Sequence, residues 1–261
     1  MKGLFLSKDF RKGKVALRGG GRPYVSELCR IARIKVWIVD GEYIRKNICE
    51  DFVNYDHHYR LEFIPKKEFW ISKDCDPEEH SYYIDRMFME HRLIESGMSY
   101  NAAVSKAALF ERKERAKSAA MKALSGVRSD DAKLIKKVHI KELPRFSGSV
   151  KVWLIDGTLV RSLFYTDFGG GGHDRVYDFI PPGEIWIDDD ISPRERKFIA
   201  IHEMHERNLM SRGLKYPQAH LSATEVEDHF RHYPKRIDDA IKKIITDQDG
   251  QASKAEEKGN K

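Results

Sequence analysis

An internal duplication constrains this chain more than any other feature of its sequence. The heptapeptide Lys-Val-Trp-Ile-Val-Asp-Gly at residues 35–41 returns as Lys-Val-Trp-Leu-Ile-Asp-Gly at residues 151–157, an offset of 151 − 35 = 116. Further matches keep this offset without a gap. A period of this length is too long for a solenoid repeat, so residues 35–116 and 151–232 are two copies of one domain-sized unit.

The strands of each copy come before its helices, which predicts an α+β fold with a small antiparallel sheet followed by two antiparallel helices. In the second copy, residues 152–155 and 158–164 are predicted strands joined by an Asp-Gly hairpin turn at residues 156–157. Residues 176–180 and 184–187 are two further predicted strands, separated by a Pro-Pro-Gly breaker.

Capping signals define the helices of the second copy. Ser192 is the predicted N-cap of the first helix, and Glu195 would complete a capping box. This helix should end near Arg212, with Gly213 as its C-terminal glycine. A second helix is predicted at about residues 216–232, and the short connection implies antiparallel packing.

The duplication divides the rest of the chain into connecting and terminal segments. The predicted organisation is a basic N-terminal arm at residues 1–34 with a short helix at 25–32, a degenerate first copy at 35–116, a charged helical connector at 117–150, a second copy at 151–232, and a C-terminal helix with a disordered tail at 233–261. The disorder is predicted for residues 247–261 because they are polar and charged.

Composition points to a cytoplasmic protein with no membrane span. No apolar run is long enough to cross a bilayer, and the three cysteines lack a paired metal-binding spacing. The formal net charge of +6 is compatible with acidic partners. Nucleic acid is one such partner, through the Lys/Arg-rich arm at residues 8–22 and the helical stretch at residues 111–137.

The first predicted helix of the second copy carries imidazoles on a face that should be apolar. Spacings of three and four place His202 and His205 on the core-facing stripe, and Glu206 flanks it. Leaving such groups buried without partners would cost about 1–3 kcal/mol each, so a metal ion is the simplest partner. His220 on the next helix completes a predicted ligand set of His202, Glu206 and His220, with His205 as the alternative ligand and Glu203 as the general base acting on a bound water.

The first copy serves as an internal control for this hypothesis. The positions of His202, Glu203, His205 and His220 are occupied in the first copy by Arg86, Met87, Met89 and Val104, respectively. Because packing alone is satisfied by apolar residues at several of these positions, the second copy is predicted to carry the chemistry.

The same residues resemble the active-site core of zincin-type metallopeptidases. The resemblance consists of the strand Glu-Ile-Trp-Ile-Asp-Asp at residues 184–189 and the following helix with His-Glu-Met-His-Glu at residues 202–206. The usual motif is His-Glu-x-x-His, whereas here the fifth position is Glu206 and the additional His205 comes one place early. The resemblance implies a bound zinc ion, Glu203 as the base, and a peptide or protein substrate.

A glycine-rich segment distinguishes the second copy from the first. Four glycines precede His173, and Gly171, Gly172 and His173 are predicted to line a substrate cleft. The favoured function is a zinc-dependent, peptidase-like hydrolase with its centre in the second copy. A non-enzymatic nucleic-acid-binding protein and a metal-stabilised structural module are the alternatives.

Overall fold

The computed structural model of the protein describes residues 23–118, 121–122 and 132–259. The predicted basic arm at residues 8–22 and part of the predicted connector therefore lie outside the described residues. Contacts between residues divide the chain into two compact units, Met1–Ala107 and Ala108–Lys261. Each copy of the repeat contributes three strands to a four-stranded sheet, and the residues just before that copy contribute the fourth.

The two copies, each taken with the strand that precedes it, contain the same elements in the same order. In the first part of the chain these elements are β1 (Tyr24–Ile31), β2 (Ile34–Val39), α1 (Gly41–Asn47), β3 (Tyr55–His57), β4 (Glu68–Ser72), α2 (His80–Glu95) and α3 (Tyr100–Arg115). After α4 (Ala132–Val138), the second set is β5 (His139–Glu142), β6 (Lys151–Ile155), α5 (Gly157–Leu163), β7 (Gly171–His173), β8 (Glu184–Asp188), α6 (Arg196–Ser211) and α7 (Tyr216–His232), followed by α8 (Ile237–Gly259).

Each sheet contains one parallel pair of strands. The strand orders are β1-β2-β4-β3 and β5-β6-β8-β7. The central pairs β2–β4 and β6–β8 are parallel, and the outer strands pair antiparallel with them. The α+β class and the duplicated unit of a sheet followed by helices are confirmed, although the sheets are mixed rather than antiparallel.

The predicted Asp-Gly hairpin at residues 156–157 is wrong, because this dipeptide begins a helix. Asp156 is the N-cap of α5, and its Oδ1 accepts a hydrogen bond of 2.8 Å from the backbone N–H of Leu159. An ideal Cβ on Gly157 would clash with Asp188 Oδ1, so the close approach of this helix to β8 requires glycine. The predicted return strand at residues 158–164 is therefore largely the helix α5, within the crossover that joins the parallel strands β6 and β8.

The predicted strand at residues 176–180 is also wrong. That segment forms turns, and the third strand of the sheet is instead β7, which lies in the glycine-rich segment and pairs with β8. Tyr177, Phe179 and Ile180 belong to an apolar cluster with Trp186, so their hydrophobicity reflects core packing rather than strand alternation.

The short helix predicted at residues 25–32 is a strand. Residues Tyr24–Ile31 form β1, the antiparallel neighbour of β2 at the edge of the first sheet. Five of its eight side chains are exposed, so the apolar–polar alternation that marks a half-buried strand is weak here.

The helices α6 and α7 lie close to their predicted positions. Helix α6 begins at Arg196 rather than Ser192. The predicted capping box is absent, because Ser192 Oγ has no hydrogen-bond partner among the described residues and Glu195 instead lies 2.7 Å from Arg231. Gly213 follows the helix with φ of 96°, as expected of a C-terminal glycine. Helix α7 occupies the predicted range, and its contacts with α6 run in reverse chain order, so the helices are antiparallel.

Helix α8 extends through Gly259, so most of the tail that was predicted to be disordered is helical. Ile237 and Ile241 of this helix pack against the core that includes Ile201 and Met204 of α6. Among the described residues, no helix has the length and apolar character needed to cross a membrane.

Candidate metal centre

Helices α6 and α7 bring three predicted ligands together. His202 Nε2 lies 3.7 Å from Glu206 Oε2, and His220 Nδ1 lies 2.7 Å from the same oxygen. The two imidazole nitrogens are 3.3 Å apart. Because Glu206 is one helical turn after His202, both side chains project from the same face of α6 toward His220 on α7.

The spacing of these three atoms suits a small divalent cation. Donor atoms bound tetrahedrally at about 2.0–2.1 Å from zinc lie about 3.3–3.4 Å from one another. The observed separations of 2.7, 3.3 and 3.7 Å bracket this value, so small side-chain rotations would complete the geometry. Two imidazoles and one carboxylate also leave a fourth position open for water.

A chain of buried charges holds His202 in place. Its Nδ1 lies 2.8 Å from Glu227 Oε2, in an orientation too bent for a well-aligned hydrogen bond. Glu227 in turn lies 2.7 Å from Arg231, which lies 2.7 Å from Glu195. A carboxylate on one nitrogen of a histidine directs the other nitrogen toward a metal, and here Nε2 faces the candidate site.

His173 orients the other oxygen of Glu206. Its Nε2 is 3.0 Å from Glu206 Oε1, while its Nδ1 accepts a hydrogen bond of 3.2 Å from the backbone N–H of Arg175. In the neutral ring, Nε2 therefore carries the proton and donates it to Glu206. His173 also lies near Glu203 and Glu206 in a second potential ligand group, but this tautomer makes it a donor rather than a metal ligand.

Glu203 lies beside the centre, buried and without a hydrogen bond from any described residue. One of its oxygens is within 4.8 Å of ligand atoms of both His173 and Glu206. Burial raises the pKa of the Glu203 carboxyl to about 8, an effect that His202 opposes and Glu206 reinforces. A Cβ on Gly171 would lie 3.0 Å from Glu203 Cγ, so glycine in β7 gives this side chain its space.

The carboxylates around His202 favour the protonated form of its ring when no cation is present. Burial lowers the pKa of His202, but Glu206 and Glu227 outweigh this effect and raise it well above its ordinary value. Burial likewise raises the pKa of Glu206, and the hydrogen bonds from His173, His202 and His220 outweigh it and lower the pKa. The structure thus favours a positive charge at the position where a cation would bind.

The first copy has a guanidinium group at this position. Arg86 Nε lies 2.8 Å from Glu90 Oε1, and His57 Nε2 lies 3.0 Å from Glu90 Oε2. The second copy retains the equivalents of His57 and Glu90, which are His173 and Glu206. The histidine–glutamate pair is therefore a shared structural feature, whereas the cationic partner differs between the copies.

The charge difference at two positions of the site matches one divalent cation. Replacing Arg86 with a neutral His202 removes one positive charge, and an ionised Glu203 in place of Met87 adds one negative charge, a change of −1 − 1 = −2 at these positions. Burying such an excess of charge without compensation is costly. Protonation is one form of compensation, and a divalent cation held by the three ligands is another.

Other predicted site residues lie elsewhere. His205 Nε2 is 3.0 Å from Ser222 Oγ, so this side chain is not brought to the ligand group. A Cβ on Gly172 would lie 2.5 Å from the Tyr177 ring, so this ring packs directly against the backbone of Gly172. A third potential ligand group, Asp188 to Asp190, is engaged by Arg161, which lies 2.6 Å from Asp188 and 2.9 Å from Asp190.

Sequence reasoning did not identify Glu227 as the partner of His202. The available signal was its spacing, because Glu227 is seven residues, or two helical turns, after His220 on α7. Its twin in the first copy, Glu111, indicates a structural role as well. Both roles are compatible, since Glu227 contacts Arg231 as well as His202.

Comparisons with protein-family models, curated proteins and solved structures found no match. Function must therefore be inferred from the side chains themselves. Within the described residues, the ligand group of His202, Glu206 and His220 with Glu203 beside it combines metal-binding atoms with a buried carboxyl of raised pKa. Such a combination is characteristic of functional sites.

Proposed function

We propose that the second copy is a zinc-dependent hydrolase centre that acts on peptide bonds. His202, Glu206 and His220 would hold the metal, and Glu203 would accept a proton from the attacking water. The single observation that carries the proposal is the convergence of the three ligand atoms next to a buried, unpaired carboxyl group.

The donor set supports zinc rather than calcium or magnesium. Calcium and magnesium prefer oxygen ligands, whereas two imidazole nitrogens and one carboxylate oxygen form a common set for catalytic zinc. Zinc lowers the pKa of a bound water to about 7 and polarises a carbonyl oxygen. Both effects favour hydrolysis at neutral pH.

The environment of Glu203 supports its role as the base. A general base is most effective when its pKa lies near the working pH, and burial moves the pKa of Glu203 to about 8. A bound cation would lower this value and keep the carboxylate ionised, ready to accept a proton. The first copy has Met87 at this position and would lack the activity.

The choice of a peptide substrate depends on the resemblance to zincin-type metallopeptidases. Strand β8 followed by α6, with histidine and glutamate on the helix, matches the order of elements that the resemblance implies. A metal-stabilised structural module would use the same ligands but show no turnover. The nucleic-acid alternative depends on residues 8–22 and 111–137, which lie partly outside the described residues, and it stays a prediction.

The test is hydrolysis of a peptide mixture by zinc-loaded protein, with products identified by mass spectrometry. We expect Glu203→Gln to retain zinc and to lose at least about 100-fold in rate, since general-base catalysis contributes about 10²–10⁴-fold. His205→Met is the matched control, because it introduces the residue of the first copy at a position outside the ligand group. Full activity in Glu203→Gln would contradict the assignment. A loss of activity in His205→Met that Glu203→Gln does not share would also contradict it.

A further inference from the structure

Asp174 and Arg207 form an ion pair beside the candidate metal centre. Arg207 Nε lies 2.7 Å from Asp174 Oδ1, and Arg207 Nη2 lies 2.9 Å from Asp174 Oδ2. The side chains of Arg207 and Asp174 are 11% and 10% exposed, so the pair is largely shielded from water. Two parallel hydrogen bonds between a guanidinium group and a carboxylate fix the relative orientation of both groups. Because Asp174 directly follows β7 and Arg207 belongs to α6, the pair fastens this helix to the end of the strand.

Asp174 is also joined to the beginning of β8. Its Oδ2 accepts a hydrogen bond of 2.7 Å from the backbone N–H of Gly183. Its own backbone N–H donates a hydrogen bond of 3.2 Å to the carbonyl oxygen of Glu184, the first residue of β8. Arg207 is therefore anchored where two paired strands meet, and a site supported by such elements is held more accurately than one supported by a loop.

The ion pair lies directly next to the contact that orients the ligand Glu206. His173 precedes Asp174 in the chain, Glu206 precedes Arg207, and His173 Nε2 lies 3.0 Å from Glu206 Oε1. Two neighbouring residues at the end of β7 thus contact two neighbouring residues of α6. A pair of adjacent contacts restricts both rotation of the helix about its axis and sliding of the helix along the strand.

The first copy retains only one of these two contacts. The contact of histidine with glutamate occurs in both copies, but Asp174 and Arg207 are replaced in the first copy by His58 and His91. His58 Nδ1 lies 2.7 Å from one backbone carbonyl oxygen, and His91 Nε2 lies 3.3 Å from another. The bidentate ion pair is therefore a feature of the copy that carries the metal ligands.

A metal centre explains why the second copy needs this anchor. In the first copy, Arg86 and Glu90 make their 2.8 Å contact within one helix. In the second copy, Glu206 must instead meet His220, which lies on another helix. Side chains extend about 5–6 Å from a helix axis, so a rotation of α6 by about 10° would move the Glu206 carboxylate by about 1 Å. Productive sites are held to within about 0.5 Å.

We propose that Asp174 and Arg207 are positioning residues that hold the ligand Glu206 at the metal. This inference rests on the proposed function, and it assigns to that centre a support that its three ligands do not supply themselves. Both residues act through the orientation of α6, rather than on the metal or on a substrate. Loss of the pair should therefore alter the geometry and the affinity of the metal site, and not only the stability of the fold.

The test breaks the pair from each side, with Asp174→Asn and Arg207→Gln. Zinc affinity is measured by competition with a chelating dye, and the geometry of the ligands is measured by the visible absorption spectrum of the cobalt(II)-loaded protein. We expect each variant to bind zinc about 10–100-fold more weakly and to change the cobalt spectrum. The double variant should bind no more weakly than either single variant, because the two residues act as one unit. Arg207→Lys keeps the charge and should recover part of the affinity.

The matched control is Arg60→Gln in the first copy, where Arg60 Nη1 lies 2.8 Å from Asp56 Oδ2. It should lower the free energy of unfolding but leave the zinc affinity and the cobalt spectrum unchanged. Wild-type zinc affinity and an unchanged cobalt spectrum in Asp174→Asn or Arg207→Gln would overturn the positioning role, even if stability falls, and would leave the metal centre intact. If one variant does not fold, the other decides. A wild type that binds neither zinc nor cobalt would overturn the proposed function and this role together.

Discussion

Arg86 and His202 occupy the same position of the repeated unit and face equivalent glutamates. Arg86 Nε lies 2.8 Å from Glu90, and His202 Nε2 lies 3.7 Å from Glu206. In the first copy the guanidinium group of Arg86 supplies the positive charge beside the glutamate. In the second copy the imidazole of His202 lies farther from its glutamate. We interpret the two copies as alternative solutions to one problem, the neutralisation of a buried carboxylate.

His202→Arg should convert the second copy to the charge pattern of the first. We expect zinc binding to be lost, because an arginine cannot ligate a metal, and the free energy of unfolding of the metal-free protein to change by no more than the roughly 0.5–3 kcal/mol of a typical substitution. Zinc content and urea denaturation measure these effects. Arg86→His in the first copy is the control and should not create a tight site, because Val104 stands where a second imidazole would be needed. Retention of zinc by His202→Arg would exclude His202 as a ligand.

Gly171→Ala should disturb Glu203 without touching the ligands. The new Cβ would lie 2.7 Å from Ile199 Cγ2 and 3.0 Å from Glu203 Cγ, and such overpacking costs about 1–3 kcal/mol. We expect a lower free energy of unfolding and reduced hydrolysis with zinc still bound. Gly250→Ala is the control, because no atom lies within 4 Å of its added Cβ. Unchanged activity in Gly171→Ala would contradict the expectation that hydrolysis depends on the position of Glu203.

Several elements were predictable because their signals are local. The apolar periodicity and the glycine at residue 213 defined the helices that became α6 and α7, and strand β8 follows from a short apolar run. Strand β7 has no such signal, since glycine carries no side chain. The parallel pairing of β6 with β8 joins segments that are distant in sequence, and an Asp-Gly dipeptide fits a helix start as well as a hairpin.

The candidate site was predictable to a similar extent. Helical spacing alone placed His202 and Glu206 on one face, and antiparallel packing added His220. The contact of Glu227 with His202 and the space that Gly171 leaves for Glu203 depend on how elements pack in three dimensions. Packing of this kind could not be read from a single sequence.

Glu227→Gln should weaken zinc binding by about 10–100-fold, as expected when a carboxylate that supports a histidine ligand is removed. The change also weakens the buried contact with Arg231, so a loss of stability is expected as well. The matched control is Glu111→Gln, because Glu111 lies 2.8 Å from Arg115 in the first copy. It should reduce stability but leave zinc affinity unchanged, as measured by competition with a chelating dye. Equal zinc affinities in Glu227→Gln and the wild type would refute the role of Glu227.

Zinc should stabilise the folded second copy selectively. A ligand at 100 times its dissociation constant adds about 2.7 kcal/mol to the free energy of unfolding. Each copy contains two tryptophans, so replacing Trp37 and Trp70 with phenylalanine leaves fluorescence that reports on the second copy. We expect zinc to raise the unfolding temperature seen by this signal, and a chelator to reverse the change. A zinc-dependent shift that persists in His220→Val would place the ion elsewhere.

The most direct test of the metal centre is anomalous X-ray diffraction from zinc-soaked crystals. We predict a strong anomalous peak about 2.0–2.2 Å from His202 Nε2, Glu206 Oε2 and His220 Nδ1, and none beside Glu90 in the first copy. The peak should be absent from crystals of His220→Val. A peak only at the aspartates of residues 188–190, or no peak at all, would contradict the account and leave protonated histidine as the partner of Glu206.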